Sequence, residues 1–227
     1  RRSAHGALGV LHAMKALLAR LAQGDGVLDI GANVGTMAQE FAAKVGPLGH
    51  VLAVEPNPDV AALCRRNTAV FGCVSVRAVA VDWADGQAEL YVGTNHTHSS
   101  LAAANVHSQS GTVTVDTTTL DALAAGVPKL AAIKIDAQGA EARILQGGAA
   151  CLARPGLIWM VELWPDGVRA CGSTVEALLE AFATTGHRVL AMGKMLTEPA
   201  RTWDGLAAHV ASWHGHTHTN LLIGRSA

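Results

Sequence analysis

This chain is short of charge. Asp, Glu, Lys and Arg make up 15% of its 227 residues, against 50% apolar ones. Neither sign dominates: 17 Lys plus Arg face 18 Asp plus Glu, a formal net charge of −1. An apolar-rich, charge-poor composition excludes wholesale disorder. The missing basic excess removes the phosphate-neutralising surface that nucleic-acid binders carry, so no nucleic-acid partner is expected. There is no run of roughly 18 apolar residues, so no membrane-spanning helix is expected. His12 and Lys15, set in an amphipathic pattern, argue against a signal peptide. The chain does not open on methionine, which leaves room for residues upstream. The four cysteines, Cys64, Cys73, Cys151 and Cys171, form no C-x-x-C pair and read as structural thiols of a cytoplasmic protein.

What is present is a rhythm. Leu8, Leu11, Met14, Leu18 and Leu21 recur at helical spacing and predict an amphipathic helix over 4–22. Short apolar strands then alternate with helices: strands at 27–30, 51–54 and 74–81, helices at 36–44 and 59–71. The middle departs from this, with a strand pair at 88–92 and 112–115 around a polar loop, 93–111. That loop carries His96, His98, Ser99, Ser100 and His107 and is read as a substrate-side loop. Alternation resumes with helices at 120–125, 140–152 and 175–184 and strands at 131–135, 157–163, 189–191 and 220–223. This order predicts a doubly wound, mostly parallel α/β sheet of the Rossmann-like kind, with helices on both faces and an inserted hairpin. Without a linker or a repeat, 1–227 is read as one domain.

The strongest local signal is Asp29-Ile30-Gly31-Ala32-Asn33-Val34-Gly35, where a strand turns into a helix. Glycines there allow a sharp turn and a close approach of ligand to the helix N-terminus. The D-x-G-x-x-x-G spacing is not the G-x-G-x-x-G that cradles a dinucleotide pyrophosphate. Glu55 ends the next strand in Val54-Glu55-Pro56-Asn57-Pro58. An acid at that place can accept both ribose hydroxyls of a nucleoside. In register on consecutive strands, the two signals predict a nucleoside site.

This pair resembles the S-adenosylmethionine-dependent methyltransferases of the Rossmann-like class. The resemblance implies cofactor contacts at Gly31, Asn33, Gly35, Glu55 and Asn57, with Asp29 orienting the loop and reaching the methionine ammonium through water, and Asp136 is a further cofactor-side candidate. A more specific stretch is Ile133-Lys134-Ile135-Asp136-Ala137-Gln138-Gly139-Ala140-Glu141, followed by Leu145 and Gly147. It resembles the signature of FkbM-type methyltransferases. Ala80 to Val92, Ser99-Ser100-Leu101, Thr119-Leu120-Asp121, Val161-Glu162 and Asn220-Leu221-Leu222 resemble further elements of that family. The resemblance runs from about residue 25 to 224 and implies an antiparallel final strand, S-adenosylmethionine as cofactor, and adenine met by backbone near Val79 and Ala80. One departure is Gln138, where the family usually has Glu.

Methyl transfer is an in-line displacement whose rate depends on positioning, and a hydroxyl acceptor also gains from a base. Candidates belong at the carboxyl ends of the central strands. Asp136 and Glu162 end two of them, and Lys134 lies on the same strand side as Asp136. The competing reading is a structural Lys134–Glu162 ion pair with Asp136 capping the next helix. Substrate-side candidates are His96, His98, Ser99, Gln138 and Trp164. The tract Trp213-His214-Gly215-His216-Thr217-His218 has a metal-like spacing but no carboxylate nearby in sequence, and no complete metal ligand set is visible. The sequence therefore points to an O-methyltransferase acting on a small-molecule hydroxyl, such as that of a sugar or polyketide-like metabolite. A nicotinamide-dependent oxidoreductase and a non-catalytic cofactor binder are the alternatives. Oligomeric state stays open, a homodimer included.

Overall fold

A computed structural model describes residues 12–94, 99–106, 108–192 and 202–225. The N-terminal helix, α1, is seen over residues 12–18. His96, His98 and His107 lie outside the described residues. The element order is β1 (Gly26–Ile30), α2 (Thr36–Val45), β2 (His50–Val54), α3 (Pro58–Thr68), β3 (Val74–Arg77), β4 (Ala80–Val81), β5 (Gly86–Gly93), β6 (Gln109–Thr118), α4 (Leu120–Ala124), β7 (Leu130–Ile135), α5 (Glu141–Gln146), α6 (Ala149–Ala153), β8 (Ile158–Leu163), α7 (Pro165–Ala170), α8 (Val175–Ala183), β9 (His187–Met192), α9 (Trp203–Val210) and β10 (Thr219–Arg225), with one 3₁₀ turn at Ala103–Asn105.

Seven strands form the main sheet in the order β3-β2-β1-β7-β8-β10-β9. β1, β2, β3, β7 and β8 run parallel, and β10 is antiparallel to β8 and β9. The chain winds outward from β1 to β3 and then returns to place β7 on the other side of β1. That reversal opens a crevice at the strand carboxyl ends. Alternation along the strands sends Leu28, Ile30, Ile133 and Val161 into a core on one face, and Val27, Ala132 and Met160 into a core shared with α1 and Phe41 of α2 on the other.

Two expected elements are divided. The strand read over 74–81 breaks: Val74–Arg77 stays at the sheet edge, while Ala80–Val81 joins a small sheet of order β4-β6-β5. The helix read over 140–152 breaks at Gly147 and Gly148. A side chain at Gly147 would meet the Asp82 carbonyl oxygen at 2.7 Å, and one at Gly148 would meet Leu120. The bare backbone lets this turn pack against α4. α7 and α9 were not foreseen, since six residues with an internal glycine, or eight residues, give little periodicity to read. No helix among the described residues is long and apolar enough to cross a membrane.

Candidate active site

A cavity of about 350 Å³ occupies the crevice, within the range of small-molecule sites. Its walls come from the glycine loop, the end of β2, β4, the 99–101 segment and the end of β7.

The glycine loop is held by backbone geometry. Gly31 (φ 72°) and Gly35 (φ 90°) are left-handed, and Asn33 (φ 51°) joins them. Any side chain on Gly31 would collide with the backbone carbonyl of Asp136. The ends of β1 and β7 are thus in direct contact, sealed by the Asp136 N–H donating to Ile30 O at 3.2 Å. The N–H groups of Gly31 and Ala32 both donate to Val54 O. Glu55 completes the turn. Its Oε2 accepts from the Asn33 N–H at 2.9 Å and its Oε1 from the Asn57 N–H at 3.0 Å. Burial raises the Glu55 pKa, and these two hydrogen bonds work against the rise. Each of its oxygens keeps a further lone pair.

Lys134 ties the same loop from below. Its partner is Asp29, not Glu162: the two residues face each other across β1 and β7, with Nζ 3.1 Å from Oδ1. Nζ also donates to Ile30 O at 3.1 Å and Gly31 O at 2.7 Å. Burial opposes the ammonium charge, but Asp29, Asp136 and Glu162 outweigh it and raise the Lys134 pKa. Asp29 is wholly buried behind the cavity wall, so it orients the loop through Lys134. Asn57 also stands behind the wall. Its side-chain oxygen accepts from the Asp59 and Val60 N–H groups and caps α3.

Asp136 and Gln138 line the other end of the cavity. Gln138, in the left-handed region (φ 52°), sends its amide to two carboxylates: Nε2 is 3.0 Å from Asp136 Oδ1 and 3.3 Å from Glu162 Oε2. Glu162 is buried just behind Asp136, and the Gln138 amide bridges the two carboxylates. Burial, followed by the charges of Asp136 and Glu141, lifts the Glu162 pKa well above the usual carboxylate range. Neighbouring residues hold this bend. Glu141 Oε1 accepts from the Ala137 N–H at 2.8 Å and the Gly139 N–H at 3.2 Å, and burial pushes its pKa up to about 7. The Gln138 carbonyl accepts from Ser100 Oγ at 3.0 Å and Asn105 Nδ2 at 2.8 Å. Asn105 carried no sequence signal; it sits in the 3₁₀ turn and arrives from 33 residues away.

Ala80 lines the cavity with Val79, Val81 and Leu90, an apolar wall. Ser99 lines it as well, and its buried hydroxyl has no protein partner among the described residues. Trp164 does not line it. Its indole N–H donates to Gly215 O, and its ring stacks on His216 at 5.2 Å. The histidine tract does have carboxylates beside it in space: Glu162 Oε1 lies 3.9 Å from His218 Nε2, and Asp166 Oδ2 accepts from the Gly215 N–H. Among the described residues, no group of three or more His, Cys, Asp or Glu could hold a metal ion.

The donor set fits a nucleoside sulfonium such as S-adenosylmethionine. Glu55 offers lone pairs for a diol, the backbone of Gly31 to Val34 lines the cavity beside it, and the β4 wall is apolar as an adenine requires.

Comparison with known proteins gives the same direction. The model of the "Methyltransferase FkbM domain" matches residues 29–183. No curated protein sequence matches. Among solved structures, a Clostridium thermocellum chain named as an rRNA methylase aligns with a TM-score of 0.58 at 10% identity, covering 96% of each chain. The FkbM methyltransferase of Methylobacillus flagellatus aligns with a TM-score of 0.54 at 13% identity, covering 88% of this chain and 44% of the other. Aeropyrum pernix fibrillarin, solved with natively bound S-adenosylmethionine, aligns with a TM-score of 0.52 at 15% identity, covering 94% and 74%. At such identities the likeness is one of fold.

Proposed function

This chain belongs to the FkbM methyltransferase family, whose cofactor is S-adenosylmethionine, and from that premise we propose that it methylates a hydroxyl oxygen of a small acceptor such as a sugar or a polyketide-like metabolite. One observation carries the choice of a hydroxyl. The cavity walled by the glycine loop and Glu55 is also walled by the carboxylate Asp136, and a hydroxyl gains from such a base.

S-adenosylmethionine, when bound, supplies the electrophilic methyl group. In this reading Glu55 holds its ribose diol, and the backbone of Gly31 to Val34 approaches its amino-acid end; Gly35, expected beside them, instead makes room for Cys64 and Thr68 of α3 and does not line the cavity. Val79, Ala80, Val81 and Leu90 enclose the adenine. Lys134 acts through the loop it pins and is a positioning residue. Asp136 takes the acceptor's proton. Gln138 keeps Asp136 aimed, since its amide is bonded to Asp136 on one side and Glu162 on the other. Ser99 is offered to the acceptor by its unpartnered hydroxyl.

RNA is the second acceptor class in view, because one of the aligned structures is named as an rRNA methylase. The formal net charge of −1 favours a small acceptor over RNA. The test is transfer of radiolabelled methyl from S-adenosylmethionine to a panel of sugars, hydroxylated polyketides and RNA. Label on an ether oxygen of a small compound, lost by about 10²-fold or more in Asp136→Asn, is the expected outcome. Label on RNA alone, or tight NAD binding with no S-adenosylmethionine binding by calorimetry, contradicts the proposal.

A further inference from the structure

Polar groups continue behind the cavity wall toward the surface. Asp136 lines the cavity, and Glu162 lies behind it with its side chain 7% exposed. Beyond Glu162 stands His218, 15% exposed, with Nε2 3.9 Å from Glu162 Oε1. His218 Nδ1 lies 2.8 Å from the His216 carbonyl oxygen. A carbonyl only accepts, so the proton of a neutral His218 sits on Nδ1. Nε2 is then a bare acceptor aimed at Glu162.

Methylating a hydroxyl leaves one proton to remove from the cavity. We propose that this proton leaves through Asp136, Glu162 and His218, with His218 as the outlet to water. The proposal rests on the methyl-transfer reading above. The acceptor's O–H bond breaks as its O–C bond forms, and the electron pair of the broken C–S bond stays on sulfur. The proton goes to Asp136. Glu162 hands its own proton to His218 Nε2 and takes the one from Asp136. His218 then gives a proton to water, and all three groups return to their starting states. The 3.9 Å step is longer than a hydrogen bond, so transfer across it accompanies a closing rotation of one side chain.

The groups around Glu162 suit this role. Asp136 and Glu141 disfavour its carboxylate, Lys134 favours it, and the Gln138 amide fixes its Oε2. Asn220 faces it across β8 and β10 and is buried, with an Nδ2 that has no partner among the described residues. That amide is a donor in reserve for the moment when Glu162 is ionised.

The experiment is carbon-13 NMR of the Glu162 carboxyl in glutamate-labelled protein, assigned with Glu162→Gln. Once the closing rotation brings the two within reach, a bare Nε2 accepts from the protonated acid and disfavours the carboxylate, whereas a glutamine amide can donate to the carboxylate. His218→Gln should therefore lower the Glu162 midpoint by about 0.5 pH unit or more. An unmoved midpoint overturns the proposal. Affinity for S-adenosylhomocysteine, measured by calorimetry, should stay within about twofold in His218→Gln, which shows an intact fold. If the wild-type protein fails to bind S-adenosylhomocysteine, the methyl-transfer reading falls, while the titration still reports the Glu162–His218 link. With any hydroxyl compound the protein methylates, His218→Gln should lower kcat several-fold at constant KM for S-adenosylmethionine, and imidazole should restore the rate. An unaltered kcat overturns the outlet.

Discussion

The two ends of the cavity are built differently. At the glycine-loop end, the architecture rests on backbone: left-handed glycines, N–H groups turned onto Val54 O and the Glu55 carboxylate, all within 27 residues from Asp29 to Glu55. At the Asp136 end, it rests on side chains from β7, β8, the 99–106 segment and the stretch before β10. Gln138, Glu162 and His218 are brought together because the sheet order places β7, β8 and β10 side by side, and Asn105 joins them from the 3₁₀ turn. A backbone site tolerates little change of shape. A side-chain site can be retuned one residue at a time, and Gln138 in place of the family's usual Glu is an instance.

Lys134 is where the two ends share a support, so it offers the largest effect. Lys134→Ala leaves Asp29 buried and uncompensated, and should cost about 3–5 kcal/mol in denaturant unfolding. A loss below about 1 kcal/mol would mean that the ends stand independently.

Glu141 sharpens the contrast on the Asp136 side. Its pKa is raised from 4.5 to about 7. The stability it contributes is thus fully present below pH 4.5 and lost as pH rises through about 7. Unfolding free energy should fall by about 3 kcal/mol over that window. Glu141→Gln keeps an oxygen for the Ala137 and Gly139 N–H groups and should flatten the fall. An equally steep profile in the variant would assign the loss to another group.

Ligand affinity separates the ends directly. Glu55→Gln should weaken S-adenosylhomocysteine binding by about 10–100-fold, the worth of a charge-assisted hydrogen bond. Asp136→Asn should change affinity by about threefold or less while removing most turnover. Equal losses in the two variants would erase the distinction. The smallest effect is at Asn57: without its cap on α3, Asn57→Ala should cost about 1 kcal/mol of stability and leave turnover intact.

The same difference explains what was legible in the sequence. Strand and helix order, the parallel sheet and the glycine loop with Glu55 follow from local pattern, and the structure has them. The Lys134–Glu162 pair did not follow, because pairing depends on register: Asp29 lies directly opposite Lys134, whereas Glu162 stands two residues beyond Lys134's neighbour Met160 on β8. Asn57 and Trp164 are expected beside the ligand, and neither lines the cavity. Local needs claimed them instead, a helix cap in one case and the turn at Gly215 in the other. Glu141 looked like a signature residue without a task. Its two backbone N–H partners became visible only once the 136–140 bend had a shape.

The central claim is that one cavity joins a backbone-built cofactor end to a side-chain-built acceptor end. A crystal structure with S-adenosylhomocysteine tests it most directly. The account predicts both ribose hydroxyls on Glu55, adenine between Ala80 and Leu90, and the sulfur facing the space beside Asp136. A ribose away from Glu55, or a sulfur turned from Asp136, would contradict it.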